Sequence, residues 1–188
     1  MEWKPRSLGE EYKIKTLQEN IGVPFEIANL LVQRGIQDFD TAKTFFRPKL
    51  SDLHDPYLML GMEAAVNRIS TAIESNEKIM VYGDYDVDGT TSVALVFSYL
   101  TSYYPDCIYY IPDRYEEGYG ISKKGIDHAK KESISLIIAL DCGIKALDNV
   151  KYASELGIDF IICDHHLPGP NLPDAVAILD PKQNNCDY

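Results

Sequence analysis

From Glu77 onward, short β-rich runs alternate with helical patterns, and this alternation constrains the fold more than any other feature. The runs are 78–82, 107–111, 135–140 and 158–163, with a fifth, 175–179, after a Pro/Gly loop. Segments 90–104, 122–132 and 145–156 lie between them and read as helices. Strands alternating with helices of about 10–15 residues imply βαβ crossovers. The expected fold of 77–188 is therefore α/β, a mostly parallel sheet with helices on both faces. Residues 1–76 read as a small helical region preceding it. There, 14–20 is amphipathic, Pro24 opens a helix over 25–34 and Gly35 stops it. Asp40 is expected to cap a short helix over 41–46, and apolar spacing predicts a longer one over 61–75.

In parallel sheets the chemistry sits beyond the carboxyl ends of the strands. Polar residues should then cluster after the runs, and they do. Gly83-Asp84-Tyr85-Asp86-Val87-Asp88-Gly89 follows the first, Asp141-Cys142-Gly143 the third, and Asp164-His165-His166 the fourth. Hard divalent ions take carboxylate oxygen, and Mn²⁺ also accepts imidazole. An alternating Asp run in an extended segment would place its carboxylates on one side, where they repel one another without a cation. The simplest resolution is a metal pair about 3.5–4 Å apart, the arrangement that clamps a phosphoryl group.

Each cluster also has an ordinary reading. Asp84–Gly89 resembles a calcium loop, but the position that needs a bidentate Glu is Leu95. Asp141 by itself is as easily a turn or helix-cap residue, and His165-His166 a loop pair. Three coincidences of one chemistry at three strand ends argue against these readings taken together. Gly89 and Gly143 are expected to let backbone approach a phosphate or metal and to start the following helices.

The net charge of −11 is unfavourable for binding nucleic acid, since phosphate affinity rests on Lys and Arg. The acidic excess is concentrated after Glu77, largely in the expected ligand clusters, where cations would invert the field. The four cysteines include no CxxC pair and read as buried thiols. No apolar run approaches the roughly 18–20 residues needed to span a bilayer. The N-terminal stretch has no apolar signal core. A cytoplasmic protein without membrane partners is expected.

Asp164-His165-His166 is the signature triplet of the DHH phosphoesterase superfamily, and the chain resembles that family's single-strand exonucleases of the RecJ type most. The Asp84–Gly89 run, Ile111-Pro112-Asp113-Arg114, Glu117-Gly118-Tyr119-Gly120-Ile121-Ser122 and Ala177-Ile178-Leu179-Asp180-Pro181-Lys182 carry the likeness over 77–188. Over 1–76 it rests on a Trp3-Lys4 opening and on Phe45-Phe46-Arg47-Pro48. The resemblance implies two divalent ions, Mn²⁺ or Mg²⁺, with Asp86 on one, Asp88 and His165 on the other, and Asp141 bridging. Asp84 would be a further or variable ligand and Asp164 would orient the ligands. His166 would touch a non-bridging oxygen of the scissile phosphate. Arg114 and Ser122 would grip a strand phosphate, their ordinary alternatives being a surface ion pair and a helix N-cap.

The activity so implied is hydrolysis of single-stranded DNA from the 5′ end, in recombination and repair. In the family a further aspartate ligand and a substrate-holding domain come later. The chain is therefore expected to be an N-terminal fragment, inactive alone, with its second metal weakly held. Two alternatives stand beside this. One is a phosphodiesterase for short oligonucleotides or cyclic dinucleotides. The other is a non-catalytic interaction module of the same fold.

Overall fold

In the computed structural model the apolar runs become five strands of one sheet. They are β1 (Lys78–Gly83), β2 (Cys107–Tyr110), β3 (Ile134–Leu140), β4 (Asp159–Cys163) and β5 (Ala177–Leu179). The helices are α1 (Glu11–Ile21), α2 (Phe25–Val32), α3 (Phe39–Phe46), α4 (Met62–Glu74), α5 (Val87–Thr101), α6 (Lys123–Lys131) and α7 (Leu147–Glu155). The structure describes Glu2 and residues 4–188, so Trp3 of the family-like opening lies outside the described residues. The chain divides into two units, 1–53 and 54–188.

In the first unit, Ile14 and Leu17 of α1 pack with Ala28, Leu31 and Val32 of α2 and Ala42 of α3. Pro24 stands just before α2, and Gly35 follows it in the left-handed region. Asp38 rather than Asp40 caps α3, because the helix begins at Phe39. The Asp38 carboxylate accepts the Thr41 N–H at 2.8 Å.

In the second unit the strand order is β2-β1-β3-β4-β5, all parallel. The runs are apolar throughout because both faces of the sheet are covered. Ile79 and Val81 of β1, Leu136 and Ile138 of β3 and Ile161 of β4 pack with Ala65 and Ala72 of α4 and with Val93 and Leu100 of α5. The alternate residues, Met80, Tyr82, Ile137, Ala139, Phe160 and Ile162, pack with Ile126 and Ala129 of α6 and with Val150 and Ala153 of α7. The chain leaves β1 for β2 on one side and β3 for β4 on the other. The strand order thus reverses between β1 and β3, the place where such sheets open a ligand crevice.

Arg68 of α4 ties the opposite edge of the sheet together. Its Nε donates to Asp159 Oδ2 at 2.7 Å and its Nη2 to Glu77 Oε2 at 2.6 Å; the Ser135 hydroxyl also donates to Glu77, at 2.7 Å. Arg68→Ala is expected to lower stability by about 1–2 kcal/mol at neutral pH, more than an exposed pair would, because the guanidinium is mostly buried. Ser135 first, then Arg68, holds the Glu77 carboxyl below its ordinary value. This contribution is therefore present at neutral pH and lost as pH falls through that lowered value. Urea unfolding of both proteins at neutral and acidic pH measures it, and the gap between them should narrow in acid.

Candidate metal centre

The strand register sets three aspartates level with one another. Gly83 pairs with Leu140 and Leu140 with Cys163, so the next residues, Asp84, Asp141 and Asp164, stand side by side past the ends of β1, β3 and β4. The ladder runs one step further, with the Asp141 N–H on Cys163 O and the Asp164 N–H on Leu179 O. All three side chains are buried.

Beyond that, the three differ. Asp84 is fully buried; one carboxylate oxygen accepts the Gly120 N–H at 3.4 Å and the other has no partner. Burial pushes its carboxyl above the ordinary range, and the charge of Asp86 adds to this. Asp141 sits at φ +60°, left-handed, with Oδ1 3.0 Å from His165 Nε2. Its carboxyl is also pushed up, first by burial and then by Asp86. Asp164 is saturated with donors instead. Oδ2 accepts the Ile144 N–H, and Oδ1 accepts the N–H groups of His165 and His166 and meets His166 Nδ1 at 2.7 Å. Burial alone would raise its carboxyl, but these donors outweigh burial and hold it below the ordinary value. An ionised Asp164 places the proton on His166 Nδ1 and leaves Nε2 free.

Ligand atoms of Asp141, His165 and His166 lie within 4.8 Å of one another. His166, expected to touch phosphate, thus stands at ligand distance as well. Asp84, Asp86 and Asp88 fall outside that tight group, although the charges of Asp86 and Asp88 act on Asp141. The aspartate run is not one extended segment. Asp84 directly follows β1, Asp86 is the N-cap of α5 with Oδ1 accepting the Gly89 N–H at 3.0 Å, and Asp88 lies in the first helical turn. Asp86 and Asp88 are exposed while Asp84 is buried. Carboxylates on a strand-to-helix turn point different ways, so alternation is not what gathers them. α5 starts three residues earlier than its apolar pattern suggested because Asp86 supplies the cap.

The two glycines serve the protein backbone. A Cβ on Gly89 would lie 2.4 Å from Asp84 O and 2.6 Å from Asp84 N, so its bareness lets α5 press against the end of β1. Gly89→Ala is expected to cost about 3 kcal/mol, since the clash is with backbone and not with a movable side chain. A melting temperature equal to that of the native chain would disprove the close packing. Gly143 is in the left-handed region, and α7 begins only at Leu147, so Gly143 does not open that helix.

Ser122 is the N-cap of α6. Its hydroxyl accepts the Gly125 N–H at 2.8 Å and donates to Glu117 at 2.5 Å, so it is engaged within the protein. Arg114 is exposed, with its guanidinium 5.4 Å from the Tyr85 ring centre. Tyr85 meets Tyr119 edge-on at 6.0 Å, and Tyr119 meets His166 at 6.3 Å. Desolvation first, and then the charges of Asp84 and Asp141, push the Tyr119 phenol up.

Sequence reasoning missed Glu117 and Tyr82 as organisers of this loop. Glu117 accepts from the Tyr110 hydroxyl, the Ser122 hydroxyl and the Asp113 N–H. The Tyr82 hydroxyl donates to Gly120 O and accepts the Ser122 N–H. No periodic signal marks them; a glutamate inside a glycine-rich loop before a helix cap was the one clue. Asp180, past β5, is fully buried with Oδ1 on the Lys182 N–H and Oδ2 unpartnered.

A family model described as the DHH family, N-terminal domain, matches residues 78–187. The chain belongs to the DHH family. Among DHH relatives, the single-stranded-DNA-specific exonuclease RecJ of Bacillus subtilis is 44% identical over all of this chain, which spans 24% of that protein. RecJ of Escherichia coli is 34% identical over 93% of the chain and 30% of the relative. A crystal structure of exonuclease RecJ bound to manganese is 30% identical, with a TM-score of 0.63 over 69% of this chain and 33% of that one. RecJ from Thermus thermophilus, 24% identical, shares the fold at a TM-score of 0.68 over 97% of this chain and 25% of its own. The chain spans about a quarter to a third of these relatives. Among the described residues no helix is long and apolar enough to cross a membrane.

Proposed function

We infer that these residues are the metal-holding part of a phosphodiesterase that degrades single-stranded DNA from the 5′ end, as a recombination and repair exonuclease. The observation that carries this reading is the meeting of Asp141, His165 and His166 at one sheet edge, level with a buried Asp84 whose second oxygen has no partner. The donor set fits hard divalent ions, because carboxylate oxygens and imidazole nitrogens are what Mn²⁺ takes, and Mg²⁺ takes the carboxylates. The 44% identity to a single-strand-specific exonuclease supports the choice of substrate.

In this reading Asp86, Asp88, Asp141 and His165 would hold the divalent cations, and Asp84 would support them from the buried side. Bound divalent cations supply charge neutralisation on the phosphate and acidify the attacking water. Asp164 fixes the ring of His166 through Nδ1 and turns Nε2 outward. With Nδ1–H engaged, His166 donates to a phosphate oxygen only as the doubly protonated ring. Arg114, stacked on Tyr85, offers a planar fork to a strand phosphate.

The test uses 5′-labelled single-stranded DNA, duplex DNA and a dinucleotide with the full polypeptide that carries these residues, in Mn²⁺. Stepwise loss of label from the single strand is expected, absent in Asp141→Asn. Cleavage of the dinucleotide alone would point to the short-substrate alternative. No Mn²⁺-dependent cleavage of any of the three would sink the enzymatic reading.

A further inference from the structure

Gly118 and Gly120, in the loop between β2 and α6, both take left-handed backbone, at φ +80° and +84°. A Cβ on either would meet nothing within 4 Å, so these glycines serve the turn and not a close approach. Glycine resists rotation least of all residues, so other groups must hold the loop where it stands.

Tyr82 of β1 is one of them. Its side chain is fully buried, and its hydroxyl donates to Gly120 O at 2.9 Å while accepting the Ser122 N–H at 3.0 Å. Burial pushes the phenol well above its ordinary value, so the hydroxyl remains a donor. Asn149 Nδ2 of α7 holds the next residue, donating to Ile121 O at 2.5 Å. The N–H of Gly120 meets a carboxylate of the candidate centre. It donates to Asp84 Oδ1 at 3.4 Å, and Asp84 Oδ2 has no partner. A carboxylate turns about a broad, roughly two-fold torsion, so a donor on one oxygen decides where the other points. At 3.4 Å the contact is near the outer limit for a hydrogen bond, and a slight retreat of the loop would end it.

We propose that Tyr82 is a positioning residue of the metal centre: its hydroxyl fixes Gly120, whose N–H sets the plane of the Asp84 carboxylate. This rests on the metal-holding reading above.

The experiment is isothermal titration of the chain with Mn²⁺, for the native protein, Tyr82→Phe and Tyr104→Phe. Tyr104 is the control. It too is buried, and its hydroxyl donates to a backbone carbonyl, Glu77 O at 2.6 Å, at the end of β1 away from Asp84. Both variants should melt lower than the native chain, since each loses a hydrogen bond of a buried tyrosine. Only Tyr82→Phe should weaken Mn²⁺ binding, by about tenfold, the lower end of the loss when a group that orients a ligand is removed. The Gly120 amide of the metal-free chain should exchange with solvent faster in Tyr82→Phe and at the native rate in Tyr104→Phe. Native Mn²⁺ affinity in Tyr82→Phe, or equal weakening in Tyr104→Phe, would overturn the positioning role and leave the metal-holding reading standing. Weakened binding with native protection of the Gly120 amide would overturn the route through the loop. Failure of the native chain to bind Mn²⁺ would overturn the metal-holding reading and the positioning role with it.

Discussion

Asp141→Asn is expected to abolish tight Mn²⁺ binding and yet raise the melting temperature of the metal-free chain. The two effects have one cause. Burial and the charge of Asp86 hold the Asp141 carboxyl above its ordinary value. A carboxyl raised in the folded state is destabilising when ionised, and that penalty is present at neutral pH and vanishes as pH falls below the unfolded value. Asparagine removes the charge. It also tolerates the left-handed backbone at φ +60°, where alanine would add strain that confuses the result. In EDTA the variant should melt a few degrees higher, at about 2–4 °C per kcal/mol for a chain of this size. In Mn²⁺ the order should invert, because only the native chain gains binding energy. Calorimetry with and without metal reads both. A variant that binds Mn²⁺ as tightly as the native chain, or melts lower in EDTA, would show that Asp141 is a structural residue.

Asp164→Ala should behave in the opposite way, losing stability and function together. Its side chain is almost wholly buried and accepts from Ile144, His165 and His166, which joins the loop after β3 to the loop after β4. Removing it leaves buried N–H groups without partners, at a cost of about 3–5 kcal/mol. The melting temperature should fall by about 10 °C or more. His166 would lose the partner that orients its ring, and loss of such a partner weakens a metal site about 10–100-fold. Asp164→Asn should fall between, since one amide oxygen can still accept but the amide nitrogen faces a donor. The stability from Asp164 should also fade as pH drops through its lowered value, because its carboxyl is depressed in the fold. Unfolding curves that coincide for the native and Asp164→Ala chains would refute the assignment.

The contrast between these two aspartates was not legible in the sequence. Both follow an apolar run and both read as possible ligands. The difference lies in what each oxygen meets, Ile144 twenty residues away for Asp164 and a histidine of the loop after β4 for Asp141. Likewise Ser122 read equally as a phosphate contact or a cap, and only Glu117 and Gly125 decided for the cap. Gly89 was singled out for a ligand's approach, but the group that approaches it is the backbone of Asp84.

Periodicity and strand-end chemistry alone determined that residues 77–188 form a parallel α/β layer with carboxylates and histidines along one edge. This is because apolar runs and the residues that end them are local properties of a chain. The tertiary structure decided the strand order β2-β1-β3-β4-β5, and with it which aspartates become neighbours. It also decided which carboxylates are saturated with N–H donors and which keep an oxygen without a partner. Burial and hydrogen bonding across 20 to 40 residues leave no pattern in the sequence; they exist only once the strands are side by side.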